Sequence, residues 1–469
     1  RIWEKSVSQN YESTIRFLED RTNYERVLSI PYDRMAENLD RLGRFATFLR
    51  IPRRARVVRI AGTKGKGSTA LILEKMIRDQ GYRTGLFTSP HLFRWEERFA
   101  LDGVPCTAAE LAGALSVIKE QLDAFDKLDP GTTTFTTFEL TVVTALFLFE
   151  KKKCDFILWE TGLGGRYDAT AICAPDLCIL TSLGYEHQKQ LGETLVEIAA
   201  EKGGIIKPHI PVISGVGIGL ESLPPEETLA SLPKYLRKRT VTRRSLQEGL
   251  NVIREIAMQE DAPLISLSRV EPDITEAAAH LIGNAQKRNA QIAFTALETL
   301  GNAGFLSVDR SAALDSLAGL TLPARGQVAR RNPCWILDGA HTRDSAAALA
   351  TALGQLDTSR KTLVFATLAE KDAEGMFWEL FPKFHRVFLT EIPDMPRSLA
   401  ASELFRRAKR VLPDLSPKKR PSIKARIDFA HLLDEMNHLP KEELVCFTGS
   451  FYLVGKAVAY LEKWRESSG

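Results

Sequence analysis

The chain has 469 residues but only six cysteines, at positions 106, 154, 173, 178, 334 and 446, and these form no CxxC pair and no zinc-ligand spacing. Several sit in apolar, strand-like runs, where a free cysteine behaves as a small hydrophobe. A reducing compartment fits best, so a cytoplasmic location is expected. The longest apolar run, Leu140–Phe149, is too short to cross a bilayer. No signal peptide is visible: Arg1–Ser6 is polar and starts without Met, and a trimmed N-terminus is expected. Excess charge is also missing. A net charge of +4 is slight for this length, which argues against a dedicated nucleic-acid binder but leaves room for a locally basic cleft. The short run Pro417-Lys418-Lys419-Arg420 is isolated and reads as a solvated loop. No internal repeat is visible. The expectation is a monomer with neither membrane nor nucleic acid as partner.

The balance of 44% hydrophobic and 26% charged residues belongs to a globular protein. The length exceeds one ordinary core, so two or three domains are expected. The organising stretch is Val57–Ser68, VVRIAGTKGKGS. An apolar run suited to a buried strand breaks into Gly62, Thr63, Lys64, Gly65, Lys66, Gly67 and Ser68. Thr69 and an apolar helical pattern follow, with Leu71, Ile72, Met76 and Ile77 on one face. Strand, glycine-rich turn and helix N-terminus make a phosphate cradle. Lys66 would reach phosphates and Ser68 would ligate Mg²⁺, although the spacing GxxGKGS departs from the strict GxxxxGK[ST] form.

Around this stretch the chain alternates. Helices are expected at Tyr11–Asp20, Tyr32–Leu49, Thr137–Lys152 and Leu195–Lys202, and a capping box at Thr107 and Glu110 starts another. Strands are expected at Thr84–Thr88, Phe156–Trp159, Leu177–Leu180 and Pro211–Ser214. This rhythm predicts an α/β fold: an N-terminal P-loop ATPase-like domain with a mostly parallel sheet over residues 1–320, and a smaller C-terminal α/β, Rossmann-like domain over 333–469. Residues 321–332 read as a linker, and Leu223–Arg244 as an irregular insertion.

Ligands in an open parallel sheet bind beyond the carboxyl ends of the strands, so the polar residues there converge. One strand end carries Glu160 in Glu160-Thr161-Gly162-Leu163-Gly164-Gly165-Arg166, and a carboxylate beside a phosphate loop is a usual handle on Mg²⁺. Another ends in Tyr185-Glu186-His187, where the histidine is either a second metal ligand or a structural residue. Lys202 reads by pattern as an exposed helix-end lysine. Asp338 and His341 lie just past a strand of the second domain. Arg325 is either a cationic clamp on phosphates or a surface arginine.

Together these stretches resemble the folylpolyglutamate synthase and dihydrofolate synthase family of the Mur-ligase superfamily. The likeness runs through nearly the whole chain in order: Asn10-Tyr11-Glu12, GTKGKGS, Thr88-Ser89-Pro90-His91-Leu92, Glu97-Arg98, Phe138-Glu139, Glu160–Thr170, Glu201–Pro208, Asp338-Gly339-Ala340-His341, Lys371-Asp372 and Thr448–Gly455. The resemblance implies an ATP-dependent ligase that joins L-glutamate to a folate-type carboxylate through an acyl phosphate. It implies that Ser68 and Glu160 hold one Mg²⁺, and that His187 and Lys202 serve a second, with Lys202 carboxylated by CO₂. It also implies that Ser89, Pro90, His91, Asp168 and Ser450 face the folate-type substrate, and that Asn289, Arg325, Asp338 and His341 face the nucleotide and reacting groups.

Several positions depart from the family pattern. Lys64 stands where Asn is common, Glu186 where Asp is usual, Ala171 where Asn is common and Ala285 where His is usual. Ala324 breaks a Pro-Gly-Arg, Thr342 replaces Asn, and Glu370 replaces Asp. The ligand types Lys66, Ser68, Glu160, His187 and Lys202 are kept. Two other readings are a ligase joining an amino acid to a different carboxylic acid and a non-catalytic nucleotide-binding protein. The sequence does not choose between dihydropteroate and reduced folates, nor does it set a polyglutamate length.

Overall fold

The computed structural model describes residues 2–24, 33–130, 134–356, 358 and 360–468. Tyr32, expected to open the second helix, lies outside them; the helix there runs Asp33–Phe48.

Eight strands build the first sheet: β1 (Arg56–Ala61), β2 (Thr84–Phe87), β3 (Phe99–Leu101), β4 (Val104–Pro105), β5 (Phe156–Glu160), β6 (Leu177–Leu180), β7 (Val212–Ser214) and β8 (Leu264–Ser266), in the order β4-β3-β2-β5-β1-β6-β7-β8. From β2 to β8 every neighbouring pair is parallel; β3 alone runs against the rest, antiparallel to both β2 and β4 at the edge. β1 lies between β5 and β6 near the middle of the sheet, and the cleft opens beyond its carboxyl end.

The reason β1 is central is its apolar content. Val58, Ile60 and Ala61 are fully buried. Val58 and Ile60 pack on Ile72, Leu73, Met76 and Ile77 of the helix Lys66–Asp79 and on the helix Asn284–Asn302. Each such side chain contributes about 1.5–3 kcal/mol on leaving water. The opposite face is closed by Leu140, Phe149 and Trp159, with Phe45 of the helix Asp33–Phe48.

The second sheet has six strands: β9 (Arg325–Arg331), β10 (Cys334–Asp338), β11 (Lys361–Phe365), β12 (Arg386–Leu389), β13 (Ser422–Ala425) and β14 (Leu444–Thr448), ordered β13-β12-β11-β14-β10-β9. All pairs are parallel except β9 with β10. The stretch read as a linker is therefore corrected: most of 321–332 is an edge strand of the second sheet. Its side chains are only partly buried, with Val328 half exposed, so the apolar alternation that marks a strand is missing. The insertion after β7 holds short helical turns and the helix Lys234–Arg237; Leu223 and Val241 pack on the first domain, and other residues reach the second. Tyr235 Oη donates to Asp414 at 3.2 Å, and Arg343 donates to Thr240 Oγ1 at 2.6 Å.

Candidate active site in the interdomain cleft

The carboxyl ends of both sheets face each other across a cleft of about 1270 Å³. On the first wall, the turn after β1 is held by the turn after β6. Thr63 N–H donates to the Ser182 carbonyl at 2.8 Å, Lys64 N–H to Ser182 Oγ at 2.8 Å, and Thr181 Oγ1 donates to the Lys64 carbonyl at 2.6 Å. Gly65 caps the following helix at φ 87°, and a Cβ there would collide with Asn289 Oδ1. Only glycine serves at such a conformation and approach. Asn289 Oδ1 is buried and accepts no hydrogen bond among the described residues.

Two ammonium groups converge on one backbone oxygen. Lys66 Nζ donates to the Gly62 carbonyl at 3.0 Å and Lys202 Nζ to the same oxygen at 3.1 Å. Lys202 is 4% exposed, which overturns its reading as a surface lysine: it sits at the end of the helix Leu195–Gly203, on the face turned toward the cradle. Burial, with the charges of Lys66 and Lys64 adding, lowers its pKa to about 7. Glu160, at the end of β5, accepts from Ser89 N–H at 3.1 Å and from the Gly67 N–H. Burial raises its pKa, against the opposing pull of Lys66 and Arg325. A Cβ on Gly67 would meet the Arg325 guanidinium and would lie 3.0 Å from Glu160 Oε2. Cradle, carboxylate and second-domain arginine thus meet at one point. Ser68 is buried beside them in the first turn of the helix.

On the second wall Arg325 begins β9 and its guanidinium lies over the Phe451 ring. Asp338 ends β10. Burial raises its pKa to about 6, while the N–H groups of Ala340 and Gly326 and the charge of Arg325 oppose the rise. His341 Nδ1 lies 2.8 Å from the Gly339 carbonyl, which assigns the proton to Nδ1. Burial, then Lys64 and Lys371, lower its pKa to about 4, so Nε2 is unprotonated at neutral pH and faces Lys64 Nζ at 3.0 Å. His187, at φ 53°, projects into the cleft with its side chain 39% exposed. Desolvation inside the cleft, with Lys371, Lys202 and Lys64 nearby, lowers its pKa to about 3, leaving a neutral ring able to ligate.

The expected substrate residues divide. Ser89, Pro90, Asp168 and Ser450 line the cleft. Asp168 is engaged in building the glycine-rich loop: Oδ2 accepts from Gly162 and Leu163 N–H and Oδ1 from Thr170. Ser450 Oγ accepts from Tyr452 N–H at 3.1 Å. His91 turns to Arg98, whose Nε donates to its Nδ1 at 2.8 Å, and stacks near Trp95. Thr69 is wholly buried in the helix and does not line the cleft. Sequence reasoning missed the centrality of Glu186, which was noted only as a departure. Lys64, His341 and Lys371 surround its carboxylate. The available signal was its position, a carboxylate at a strand end beside His187. Among the described residues no three His, Cys, Asp or Glu side chains form a metal cluster.

Residues 324–460 match the family model described as dihydrofolate synthetase, C-terminal domain. A dihydrofolate synthase/folylpolyglutamate synthase of Bacillus subtilis is 31% identical over 355 residues, covering 75% of this chain and 80% of that protein. A folylpolyglutamate synthase of Lacticaseibacillus casei is 29% identical over 351 residues, covering 73% and 78%. Among solved structures, E. coli FolC in complex with DHPP and ADP superposes with a TM-score of 0.75 at 24% identity over 97% of this chain and 98% of that one. A Mycobacterium tuberculosis folylpolyglutamate synthase complexed with ADP gives 0.75 at 23%, over 97% and 99%.

Proposed function

The chain belongs to the dihydrofolate synthase/folylpolyglutamate synthase family, and on that basis we propose how its cleft carries out the ATP-dependent ligation of glutamate to a folate-type carboxylate. The observation that carries the proposal is the meeting of Lys66, Glu160 and Arg325 at Gly67, cations from two domains around one buried carboxylate at a helix N-terminus. Such a site neutralises and orients a triphosphate and offers no protein nucleophile, which is what phosphoryl transfer to a carboxylate needs.

The residues fit a divalent metal. Glu160 is a buried carboxylate whose charge is under-compensated, and Ser68 supplies a hydroxyl oxygen beside it. Ser68 and Glu160 would hold one Mg²⁺, which when bound screens phosphate charge and orients the γ-phosphoryl group. His187 and Lys202 would serve a second. Lys202 is a cation until modified, and its lowered pKa of about 7 leaves much of it as free amine at neutral pH, able to take up CO₂ as a carbamate.

In the first step a substrate carboxylate oxygen bonds to the γ-phosphorus and the bond to the β–γ bridging oxygen breaks, releasing ADP. Lys66 and Arg325 balance the charge that develops on the transferring oxygens. In the second, the deprotonated amine of glutamate attacks the acyl carbon, the carbon–oxygen bond to phosphate breaks, and inorganic phosphate leaves. His341, with Nε2 unprotonated and beside Lys64 Nζ, would accept the proton from that amine once the Lys64 contact is exchanged for the substrate. Asn289, Asp338 and the cradle backbone complete the nucleotide side, and Ser89, Pro90, Asp168 and Ser450 the folate side. The protein works as a monomer in this scheme, each cleft being built from one chain.

Isotope transfer tests the first step. With ¹⁸O in the substrate carboxylate, one labelled oxygen should appear in the released phosphate for each product formed. Unlabelled phosphate with full product formation would exclude the acyl phosphate.

A further inference from the structure

Glu186 lies at the end of the loop after β6, in the first domain, with its side chain 10% exposed. Its Oε2 accepts from Lys64 Nζ at 3.0 Å. Its Oε1 accepts from Lys371 Nζ at 3.2 Å, and His341 Nε2 lies 3.2 Å from the same oxygen. Lys64 Nζ in turn lies 3.0 Å from His341 Nε2. Lys64 and Glu186 come from the first sheet's loops, His341 and Lys371 from the second's. One largely buried carboxylate therefore joins the cradle loop to the His341 and Lys371 loops facing it. Lys64 cannot act as a simple cradle residue either, because its N–H is taken by Ser182 and its ammonium by Glu186.

Lys64 and Glu186 are two of the positions noted above as departing from the family pattern, and they are in direct contact. A lysine in the cradle adds a buried charge, and a glutamate reaches one methylene further than an aspartate to meet it. Removing one partner of a buried charge pair is costly because the other is left uncompensated, so the two departures make sense as a pair.

We propose that Glu186 is a positioning residue for the ligation: through Lys64 on one oxygen and Lys371 on the other, it sets the second domain's His341 and Lys371 in register with the phosphate cradle. Interfaces between domains of one chain are ordinarily small and permit relative motion, so a buried charged tie at the reacting groups fixes what the sheets alone leave free. The inference rests on the ligase reading for its catalytic consequence and stands apart from it for the tie itself.

The full-length chain, free of ligands, is compared as wild type, E186Q, K371M and the double variant by thermal unfolding. Each single change is expected to lower the midpoint, and the double to fall no further than the worse single, as for two groups sharing one interaction. Additive losses would overturn the tie. In parallel, E186Q should lower kcat about 30-fold while the affinity for a non-hydrolysable ATP analogue changes less than about 3-fold, since misplacement of reacting groups is paid in rate. E186D, which keeps the charge but is one methylene shorter, should recover only part of that rate. Coupled midpoints with unchanged kcat in E186Q would overturn the positioning role. Should the wild type show no folate- and glutamate-dependent turnover, the ligase reading fails, and the unfolding cycle still decides whether the tie exists.

Discussion

The two walls of the cleft hold their charges by different means. On the cradle wall the functional groups are fixed within the first domain: Lys66 and Lys202 share the Gly62 carbonyl, and Glu160 takes two backbone N–H groups. On the opposite wall Arg325, His341 and Lys371 find partners or opposing charges across the cleft, at Glu160, Lys64 and Glu186. The first wall is held by contacts within its own domain, while the second adds contacts across the cleft to those that Arg325 makes with Pro323 and Phe451 and His341 with Gly339. A phosphate site benefits from the former arrangement, because preorganised dipoles need not rearrange as charge develops. A site that must admit a folate-type acid and an amino acid in turn benefits from the latter.

Changes on the cradle wall should be the most severe. Lys202→Ala is expected to lower turnover by about 10³-fold or more, the scale associated with losing a metal-organising group, with partial rescue by small carboxylic acids. Unchanged turnover would remove Lys202 from the chemistry.

Glu160→Gln should cost about 10²–10³-fold in turnover and yet raise the thermal midpoint at pH 7 in metal-free protein. The sign follows from the raised pKa of Glu160. The folded state disfavours the carboxylate, so its destabilising effect is absent below about pH 4, where the acid is protonated in both states, and develops as pH rises through the folded pKa. The midpoint advantage of the glutamine variant should therefore vanish in acid. An advantage that persists there would contradict the burial account.

Across the cleft, Arg325→Lys keeps the charge and loses the planar fork, and about a 10- to 30-fold loss in kcat is expected, read by steady-state kinetics. A loss as large as that of the cradle variants would erase the distinction between the walls. The smallest effect belongs to the backbone that presents this arginine. Ala324 is buried with φ 55°, a left-handed conformation that costs an alanine about 1 kcal/mol or more relative to glycine. Ala324→Gly should stabilise the second domain by up to about 1 kcal/mol in denaturant unfolding, with turnover within about 2-fold of wild type.

Much of this architecture was legible from the chain. The apolar run of β1, its glycine turn and the periodic helix after it are local signals, and the structure shows each of them. The capping box at Thr107 and Glu110 is also present. What escaped was decided by contacts distant in sequence. Lys202 looks exposed because helical periodicity cannot tell which domain or loop covers a helix end. The strand β9 looks like a linker because an edge strand with one wet face carries few apolar residues. Glu186 was visible only as a departure, since its three partners lie 122, 155 and 185 residues away.

The most direct measurement is ADP release by the purified full-length chain with ATP and Mg²⁺, with the folate-type acid and L-glutamate supplied separately and together. Sustained release that requires both, matched by one new glutamyl amide per ADP, is the predicted result. Release that neither stimulates, or that another carboxylic acid restores while dihydropteroate and reduced folates do not, would contradict the assignment of this cleft to glutamate ligation on folates.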